Sequence, residues 1–325
     1  MKKFPSLLMS LGLSAGLALA GCGGESLSQV PDPGPTPDPG PTTMMTGTVT
    51  TDQMLAGAVT LTGDVIVPAG VTLTVAAGTT VTAAGTYSLS VKGKLMVQGT
   101  ADAGVQFAGA QGKPWGGIAV SGTGSANISY AQISNAQQGF ATSAGTAYAL
   151  DHVVIKNSQT GLVLASTGSV TKTVLMGMGI DQYMPLISIQ DSSPTFTDVQ
   201  VTNGAGNSGL DSIIVSGNAS PQFDHMEVTG FHCAFHFNSG SNIAITSSYV
   251  HDNYYGVMVF GVTPFTFSGS NLINNQTANI GDCSTTTVTA SGNFYNGAPA
   301  FDASCSGQKS TNPAPAMIST AGYRP

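Results

Sequence analysis

The residues best suited to chemistry in this sequence are a few histidines that lie near a cysteine. His232, Cys233 and His236 fall close together, and His251 and Asp252 follow further along the chain. Imidazole and thiolate are ligand types that zinc and copper favour. A single histidine on the outer side of a strand, however, needs no metal to account for it. The sequence therefore predicts no metal site, no bound cofactor and no catalytic residue in this group.

A glycine- and asparagine-rich segment, residues 204–211, faintly resembles one copy of a calcium-binding nonapeptide repeat. Such sites share each calcium ion between consecutive repeats, so they need several copies in a row. Because this chain has a single degenerate copy, we expect an insertion loop here rather than a calcium site.

The composition narrows the classes of function. Of 325 residues, 9 are Lys or Arg and 16 are Asp or Glu, which gives a net charge of −7. This disfavours nucleic-acid binding, because neutralising phosphates requires clustered Lys and Arg. Charged residues are 8% of the chain, too few to cover the surfaces of many helices. The abundance of glycine and β-branched residues favours strands joined by tight turns.

The first 21 residues have the pattern of a secretory signal. The chain begins MKK and continues with an apolar stretch of about 14 residues, which suits a signal-peptide core better than a membrane span. It ends in L-A-G-C at residues 19–22, which resembles the lipobox of bacterial lipoproteins. The resemblance implies cleavage before Cys22 and lipidation of that cysteine. Gly23, in place of an aspartate, implies the outer membrane as destination.

Internal repeats determine the predicted fold. An apolar residue recurs about every 22 residues, and the residue two positions later is also mostly apolar. A period of two within segments and a long period between them is typical of short strands stacked turn upon turn. Two longer spacings indicate insertions near residues 177–184 and 203–210. The apolar residues that open the predicted strands are Leu73, Leu95, Ile118, Phe140, Leu162, Ile187, Ile213, Phe235 and Val257, followed in register by Asn279 and Phe301.

A second column repeats with the same period and carries polar residues two positions further on. Asn tolerates the left-handed backbone that a tight corner needs. Stacked Asn side chains about 4.8 Å apart can also hydrogen-bond along the stack. We therefore expect an asparagine ladder at one corner of each turn. The column comprises Ile133, Ile155, Leu175, Val201, Val228, Val250, Leu272 and Phe294, and the ladder comprises Asn135, Asn157, Asn203, Asn274 and Asn296, with Asp252.

These repeats predict an all-β fold, a right-handed parallel β-helix solenoid of about eleven coils of roughly 22 residues. Three segments also resemble the opening coils of bacterial right-handed β-helix surface proteins in the pectate-lyase-like superfamily. They are LTVAAGTTV at residues 73–81, LMVQGTAD at residues 95–102 and WGGI at residues 115–118. The resemblance implies the fold but no particular activity, since lyases, hydrolases, adhesins and inert stalks share it.

The same resemblance raises an enzymatic alternative, a polysaccharide lyase or glycoside hydrolase. For lyases it implies an Arg or Lys base among calcium-binding carboxylates, and for hydrolases it implies tandem carboxylates. The predicted rod has no Arg, its Lys156 and Lys172 fall on neighbouring coils without an Asp cluster, and no Asp-Asp or Asp-Glu pair occurs. We therefore expect no catalytic residues and a non-catalytic rod.

Two cysteines are separated by one coil. Cys283 and Cys305 are 22 residues apart, so stacking would bring their Cα atoms to about 4.8 Å, within disulfide range. Secretion would place them in an oxidising compartment. The sequence thus predicts a Cys283–Cys305 disulfide and leaves Cys233 as a free thiol.

Four segments are expected: a signal peptide at 1–21, a lipidated cysteine with a Pro- and Gly-rich linker at 22–43, a β-helix with an N-terminal cap at 44–305, and a tail at 306–325 that cannot extend the ladder. The expected function is that of a rod anchored to the outer membrane by lipid, on its periplasmic or cell-surface side. Its expected partners are the membrane and a polysaccharide or surface protein. The aromatic residues that could stack on sugar rings are Tyr254, Tyr255, Phe260 and Phe265.

Overall fold

The computed structural model describes residues 42–110, 113–177, 184–203, 209–283 and 286–325. The predicted signal peptide, Cys22 and all but the last two residues of the predicted linker lie outside these ranges. So do residues 178–183 and 204–208 of the two predicted insertions. In the described part of the chain, no helix has the length and apolar character needed to cross a membrane.

The described residues form 28 strands and one short 3-10 helix at Ala303–Cys305. The strands are β1 (Thr43–Thr48), β2 (Gln53–Leu55), β3 (Ala58–Val67), β4 (Thr72–Ala76), β5 (Thr80–Ala83), β6 (Ser88–Val91), β7 (Lys94–Gln98), β8 (Val105–Gly109), β9 (Trp115–Val120), β10 (Ser125–Ser134), β11 (Ala136–Thr142), β12 (Ala147–Lys156), β13 (Thr160–Leu164), β14 (Ser169–Met176), β15 (Ile187–Gln190), β16 (Thr195–Thr202), β17 (Ile213–Ser216), β18 (Gln222–Thr229), β19 (Cys233–Phe237), β20 (Ile243–Thr246), β21 (Tyr249–His251), β22 (Tyr255–Val259), β23 (Phe265–Ser268), β24 (Asn271–Ile273), β25 (Ala278–Gly281), β26 (Val288–Ser291), β27 (Phe294–Asn296) and β28 (Ser310–Thr311).

Each turn of the chain crosses three faces, and every strand pairs in parallel with the equivalent strand of the next turn. Face 1 runs through β6, β9, β11, β13, β15, β17, β19, β22 and β25. The long strands β10, β12, β14, β16 and β18 bend at a corner, so that their first halves lie on face 2 and their second halves on face 3. The predicted all-β parallel β-helix is confirmed.

The core is built from the inward columns of the three faces. On face 1 the predicted register is confirmed from Ile118 to Val257, because each predicted residue pairs with the next. Aromatic rings also stack inside the rod, with Phe196 and Phe223 separated by 5.0 Å between centroids. Burial of each such side chain contributes roughly 1.5–3 kcal/mol.

The predicted register is wrong near both ends. Leu95 pairs with Ala126 on face 2, whereas Ile118 pairs with Leu89 on face 1, so the first two members of the predicted column belong to another face. A longer loop before β9 separates Leu89 from Ile118 by 29 residues. Leu95, which lies on face 2, happens to be 23 residues before Ile118, so a period of about 22 joins Leu95 to Ile118 although the two lie on different faces. In the last turns the inward residues are Ile280 and Tyr295, each one position after the predicted Asn279 and Phe294.

The N-terminal turn is less regular, as the sequence predicts. Strand β1 begins at Thr43, one residue before the predicted boundary, and a bulge interrupts its pairing with β3 between Met45 and Gly47. Met44 and Met54 on this first turn are largely exposed, which leaves apolar surface at this end of the described rod.

Two corners of each turn are made by residues with left-handed backbone. Corner A joins faces 2 and 3, and corner B joins faces 3 and 1 five residues later. The corner B residues with positive φ are Asn, Asp or Gly, which adopt this conformation at low cost, whereas corner A also holds Tyr, His, Lys and Ser in it. Corner A comprises Tyr130, His152, Lys172, Asp198, His225, Ser247, Gly269 and Gly292; corner B includes Asn135, Asn157, Gly177, Gly230, Asp252, Asn274 and Gly297.

The predicted ladder asparagines therefore serve chiefly as corner residues. Asn135, Asn157 and Asn274 have φ between 52° and 56°. Asn203 is buried and its backbone N–H donates to the Thr229 carbonyl. Asn296 is exposed, and the following Gly297 takes the left-handed conformation in its place.

A run of side-chain hydrogen bonds between turns lies one residue after corner B, at Asn253 and Asn275. The Asn253 side-chain amide donates to the side-chain oxygen of Asn275 at 3.1 Å, and the Asn253 side-chain oxygen accepts from the Phe231 N–H at 3.0 Å. After corner A, Ser248 and Ser270 bond similarly, because each hydroxyl accepts an N–H from the preceding turn. The ladder is thus displaced by one residue from its predicted position.

The C-terminal end combines a disulfide with a returning tail. Cys283 and Cys305 lie on adjacent turns at disulfide distance, with Cα atoms 4.8 Å apart. Cys233 is buried outside this pair.

The prediction that no residue after Cys305 extends the ladder is wrong. Strand β28 adds a two-residue rung on β26 before Pro313 and Pro315 prevent further pairing. The tail then runs back along the rod. Ile318 and Asn271 exchange two hydrogen bonds of 2.8 Å, and the Gly322 N–H donates to the Ser247 carbonyl.

Candidate functional site

The described surface is open and shallow, as expected for stacked sheets. One groove on face 3 is lined by Gln106, Tyr130, His152 and Val154. Its Tyr130 and His152 rings stack at 4.3 Å, because both occupy corner A on neighbouring turns. His152 also contacts Asp151 at 3.0 Å. This groove contains an ordinary stacked corner and no set of groups arranged for catalysis.

The densest group of chemical side chains lies on face 1 near the start of β19. Cys233 and His236 belong to β19, and His232 immediately precedes it. Asp211 comes just before β17, one turn earlier, and is 22 residues from Cys233. We call these four residues the Asp211 cluster. The sequence pattern groups the histidines with the cysteine, whereas it places Asp211 only at the end of the 204–211 segment; the 22-residue spacing of Asp211 from Cys233 is the signal that joins them.

The Asp211 carboxylate holds the cluster together. Its Oδ2 lies 2.7 Å from Nδ1 of His236, and its Oδ1 lies 3.3 Å from Nδ1 of His232. Its Oδ1 also accepts the backbone N–H of Cys233 at 3.1 Å. The Cys233 sulfur in turn lies 3.3 Å from Nδ1 of His232.

The electrostatics of the cluster follow from burial and from these contacts. Burial raises the pKa of the Cys233 thiol far above its ordinary value, and the negative charge of Asp211 adds to this effect. Burial alone would raise the pKa of Asp211, but hydrogen bonds from His236, Cys233 and His232 bring it below its usual range. At neutral pH the cluster therefore holds a carboxylate and a protonated thiol.

The same geometry disfavours a cysteine nucleophile. A Cys–His–Asp arrangement needs the sulfur at one imidazole nitrogen and the carboxylate at the other, so that the ring can carry a proton between them. Here Nδ1 of His232 faces both Asp211 and Cys233. The Cys233 side chain is also buried, at 1% exposure, which bars a substrate from the sulfur.

Aromatic rings surround the cluster. Tyr254 stacks on His232 and Phe260 stacks on His236, each with ring centroids 5.2 Å apart. Tyr254 and Phe260 are 38% and 37% exposed, which leaves a ring surface open to solvent. Tyr255 packs edge-on against both His232 and Tyr254. We call Tyr254, Tyr255 and Phe260 the aromatic patch; the fourth predicted stacking residue, Phe265, is fully buried in the core.

Charge is distributed unevenly along the chain. Residues 173–308 contain nine Asp or Glu and no Lys or Arg, whereas residues 42–172 contain four Asp and five Lys. The acidic stretch includes the turns that carry the Asp211 cluster. Asp282 and Asp302 lie near each other on the following turns. Burial and then the charge of Asp302 raise the pKa of Asp282.

The remaining candidates are dispersed. His251 contacts Asp252 at 2.6 Å and Glu227 at 3.4 Å on the side of corner B, so it does not join the Asp211 cluster. Lys156 pairs across from Met176, four residues past Lys172, which separates the two lysines by about 13 Å along the strand direction. They do not form a basic site.

No known protein family's pattern matches this chain, and no curated protein or solved structure is significantly similar to it.

Proposed function

We propose that this protein is a lipid-anchored rod of the bacterial outer membrane that binds a neutral polysaccharide on face 1 of its C-terminal turns, without cleaving it. The observation that supports this function best is the aromatic patch. Exposed Tyr and Phe rings on a flat, rigid sheet offer apolar surface for the C–H face of a sugar ring, and the tyrosine hydroxyls add hydrogen-bonding groups.

The charge distribution supports a neutral rather than an acidic ligand. The stretch 173–308, which contains the aromatic patch, has nine acidic residues and no Lys or Arg of its own. Like charges repel across an interface, so pectate or alginate would be disfavoured there. A neutral chain meets the rings without that repulsion.

The N-terminal sequence supports the anchor. The L-A-G-C motif at residues 19–22 supplies a candidate lipidation site at Cys22, and the following linker is rich in Pro and Gly. A linker of this composition would serve as a spacer between the membrane surface and the rod. The rod would then be free to meet polymers of the cell envelope.

Binding to insoluble polysaccharides tests the proposal. We expect the wild-type protein to sediment with at least one of cellulose, chitin or mannan, and Tyr254→Ala and Phe260→Ala each to weaken binding about 5- to 10-fold, from roughly 1 kcal/mol of ring stacking. Met54→Ala is the matched control, because it removes an exposed apolar side chain at the opposite end. Binding that is unchanged in both aromatic variants, or equally lost in the control, would contradict the proposal.

One observation favours a glycoside hydrolase as the second candidate. Asp282 and Asp302 form a carboxylate pair with one raised pKa, the property expected of a general acid. Asp302, however, already accepts hydrogen bonds from the N–H and hydroxyl of Ser304. Release of reducing ends from a neutral glycan by the wild type, and its absence in Asp282→Asn, would favour the enzyme over the binding rod.

A further inference from the structure

We propose that Asp211, Cys233 and His236 bind one transition-metal ion of the zinc type, and that the neighbouring His232 joins them when its side chain moves. This inference goes beyond polysaccharide binding and does not depend on it. The potential ligand atoms of Asp211, Cys233 and His236 all lie within 4.8 Å of one another.

Three distances between potential ligand atoms lie near those of a tetrahedral zinc site. Zinc bonds of about 2.0 Å to nitrogen and oxygen and 2.3 Å to sulfur place ligand atoms about 3.3–3.6 Å apart. Nδ1 of His232 already lies 3.3 Å from both Asp211 Oδ1 and Cys233 Sγ. The 2.7 Å contact between Asp211 and His236 would open by about 0.6 Å as the metal replaces the shared proton.

The donor set selects the kind of metal. A thiolate and imidazoles disfavour magnesium and calcium, which prefer all-oxygen sites, and suit zinc or its spectroscopic substitute cobalt.

The surroundings favour a cation and hold the ligands in place. Asp282 adds a further negative charge that acts on Cys233, and no Lys or Arg occurs between residues 173 and 308. The rings of His232 and His236 are packed against Tyr254 and Phe260 respectively. Such packing restricts ligand rotamers before the metal arrives, which is how supporting residues raise the affinity of a metal site.

Zinc titration and cobalt spectroscopy of the folded protein test the proposal. We expect one Zn²⁺ per chain by calorimetry and a sulfur-to-metal charge-transfer band with Co²⁺. Asp211→Asn and His236→Ala should each weaken Zn²⁺ binding by at least about 10-fold, the scale on which even supporting residues act. Cys233→Ala should abolish the charge-transfer band.

His225→Ala is the matched control. His225 contacts Asp224 at 2.7 Å, the same distance as His236 to Asp211, but the described contacts of this pair include no cysteine. It should bind Zn²⁺ as the wild type does. Absence of stoichiometric Zn²⁺ binding, a cobalt spectrum without the sulfur band, or equal weakening by His225→Ala would overturn the proposal. If Cys233→Ala fails to fold, the charge-transfer band of the wild-type protein still shows whether sulfur binds the metal, because only a sulfur ligand produces this band.

Discussion

Single buried amides connect neighbouring turns of this rod. Asn253 is 1% exposed and bonds in three directions, to the turn before it, to its own turn and to the turn after it. Each of these bonds satisfies a backbone or side-chain group that water cannot reach. Such a side chain contributes more to the free energy of unfolding than the sum of its own hydrogen bonds, since its removal leaves several buried partners unpaired.

Replacing Asn253 by Ala should therefore destabilise the protein. We expect the free energy of unfolding to fall by about 1–3 kcal/mol for the unpaired groups left behind, at the Phe231 N–H above all. The measurement is urea denaturation with hydrogen exchange at residues 231 and 253. Asn296→Ala serves as control, because Asn296 is exposed and precedes the corner glycine. An equal loss in both variants would contradict the displaced ladder.

The sequence predicts the positions of the corner residues more clearly than the positions of the residues that hydrogen-bond between turns. Corner B selects Asn, Asp and Gly by backbone conformation, so a repeating Asn column indicates it well, whereas corner A also contains Tyr, His, Lys and Ser and shows no such column. The position one residue after corner B, where the bonds between turns are made, is occupied by different residue types: Ala136, Ser158, Phe231, Asn253 and Asn275. Ala136 and Phe231 contribute only a backbone N–H, so no single residue type indicates the ladder. The pattern does not connect Asp211 with the cluster for a related reason, because Asp211 lies on the preceding turn beside an insertion and outside the apolar columns.

At the level of strands, the regular spacing of the apolar columns made faces 1 and 3 predictable through the middle of the rod. Turns there differ little in length, so a fixed period finds equivalent residues. The loop before β9 and the extra residues in the last turns break that period while leaving an apolar residue near the expected place. As a result, a column of residues chosen by spacing alone includes residues of two faces: Leu95 lies on face 2, whereas Ile118 lies on face 1.

The disulfide should stabilise the last turns selectively. Cys305→Ser opens a loop of 22 residues, whose closure contributes about 3 kcal/mol in the chain-entropy model. Each turn of a solenoid contacts only its neighbours, so the effect should be local. We expect hydrogen exchange to speed up after Val288 and to remain unchanged at residues 95–164.

Cys283→Ser is the matched variant for this experiment, since it removes the same bond from the other side and should give the same exchange pattern. Peptide mapping without reduction should join Cys283 to Cys305 and leave Cys233 unpaired. A disulfide bond to Cys233, or faster hydrogen exchange throughout the rod, would contradict a Cys283–Cys305 disulfide that stabilises only the last turns.

Over the whole molecule, the C-terminal segment links turns that are distant in sequence. Arg324 forms a two-pronged contact with Asp198, from Nε at 2.6 Å and from Nη2 at 3.1 Å. Corner A passes through Asp198, His225, Ser247, Gly269 and Gly292, so the tail returns across four turns to reach it. The only Arg of the chain thus lies against the acidic half of the rod, where it offsets part of the negative charge.

The proposed anchor concerns the whole molecule, because it decides where the rod and its binding face are located. A single acyl chain holds a protein to a membrane only marginally, whereas several chains on one cysteine anchor it firmly. Cys22→Ser removes the residue that would carry them. We expect the variant to move from the membrane fraction to the soluble fraction, and to lack the mass of the attached lipid.

Cys233→Ser is the control for this last prediction, since it removes a cysteine from the rod and leaves residues 19–22 intact. It should remain in the membrane fraction with the lipid attached. If Cys22→Ser protein still sediments with membranes at an unchanged mass, the lipid anchor is wrong. The rod would then need another means of reaching envelope polymers, although the aromatic patch and the Asp211 cluster would be unaffected, because both are formed entirely within the solenoid.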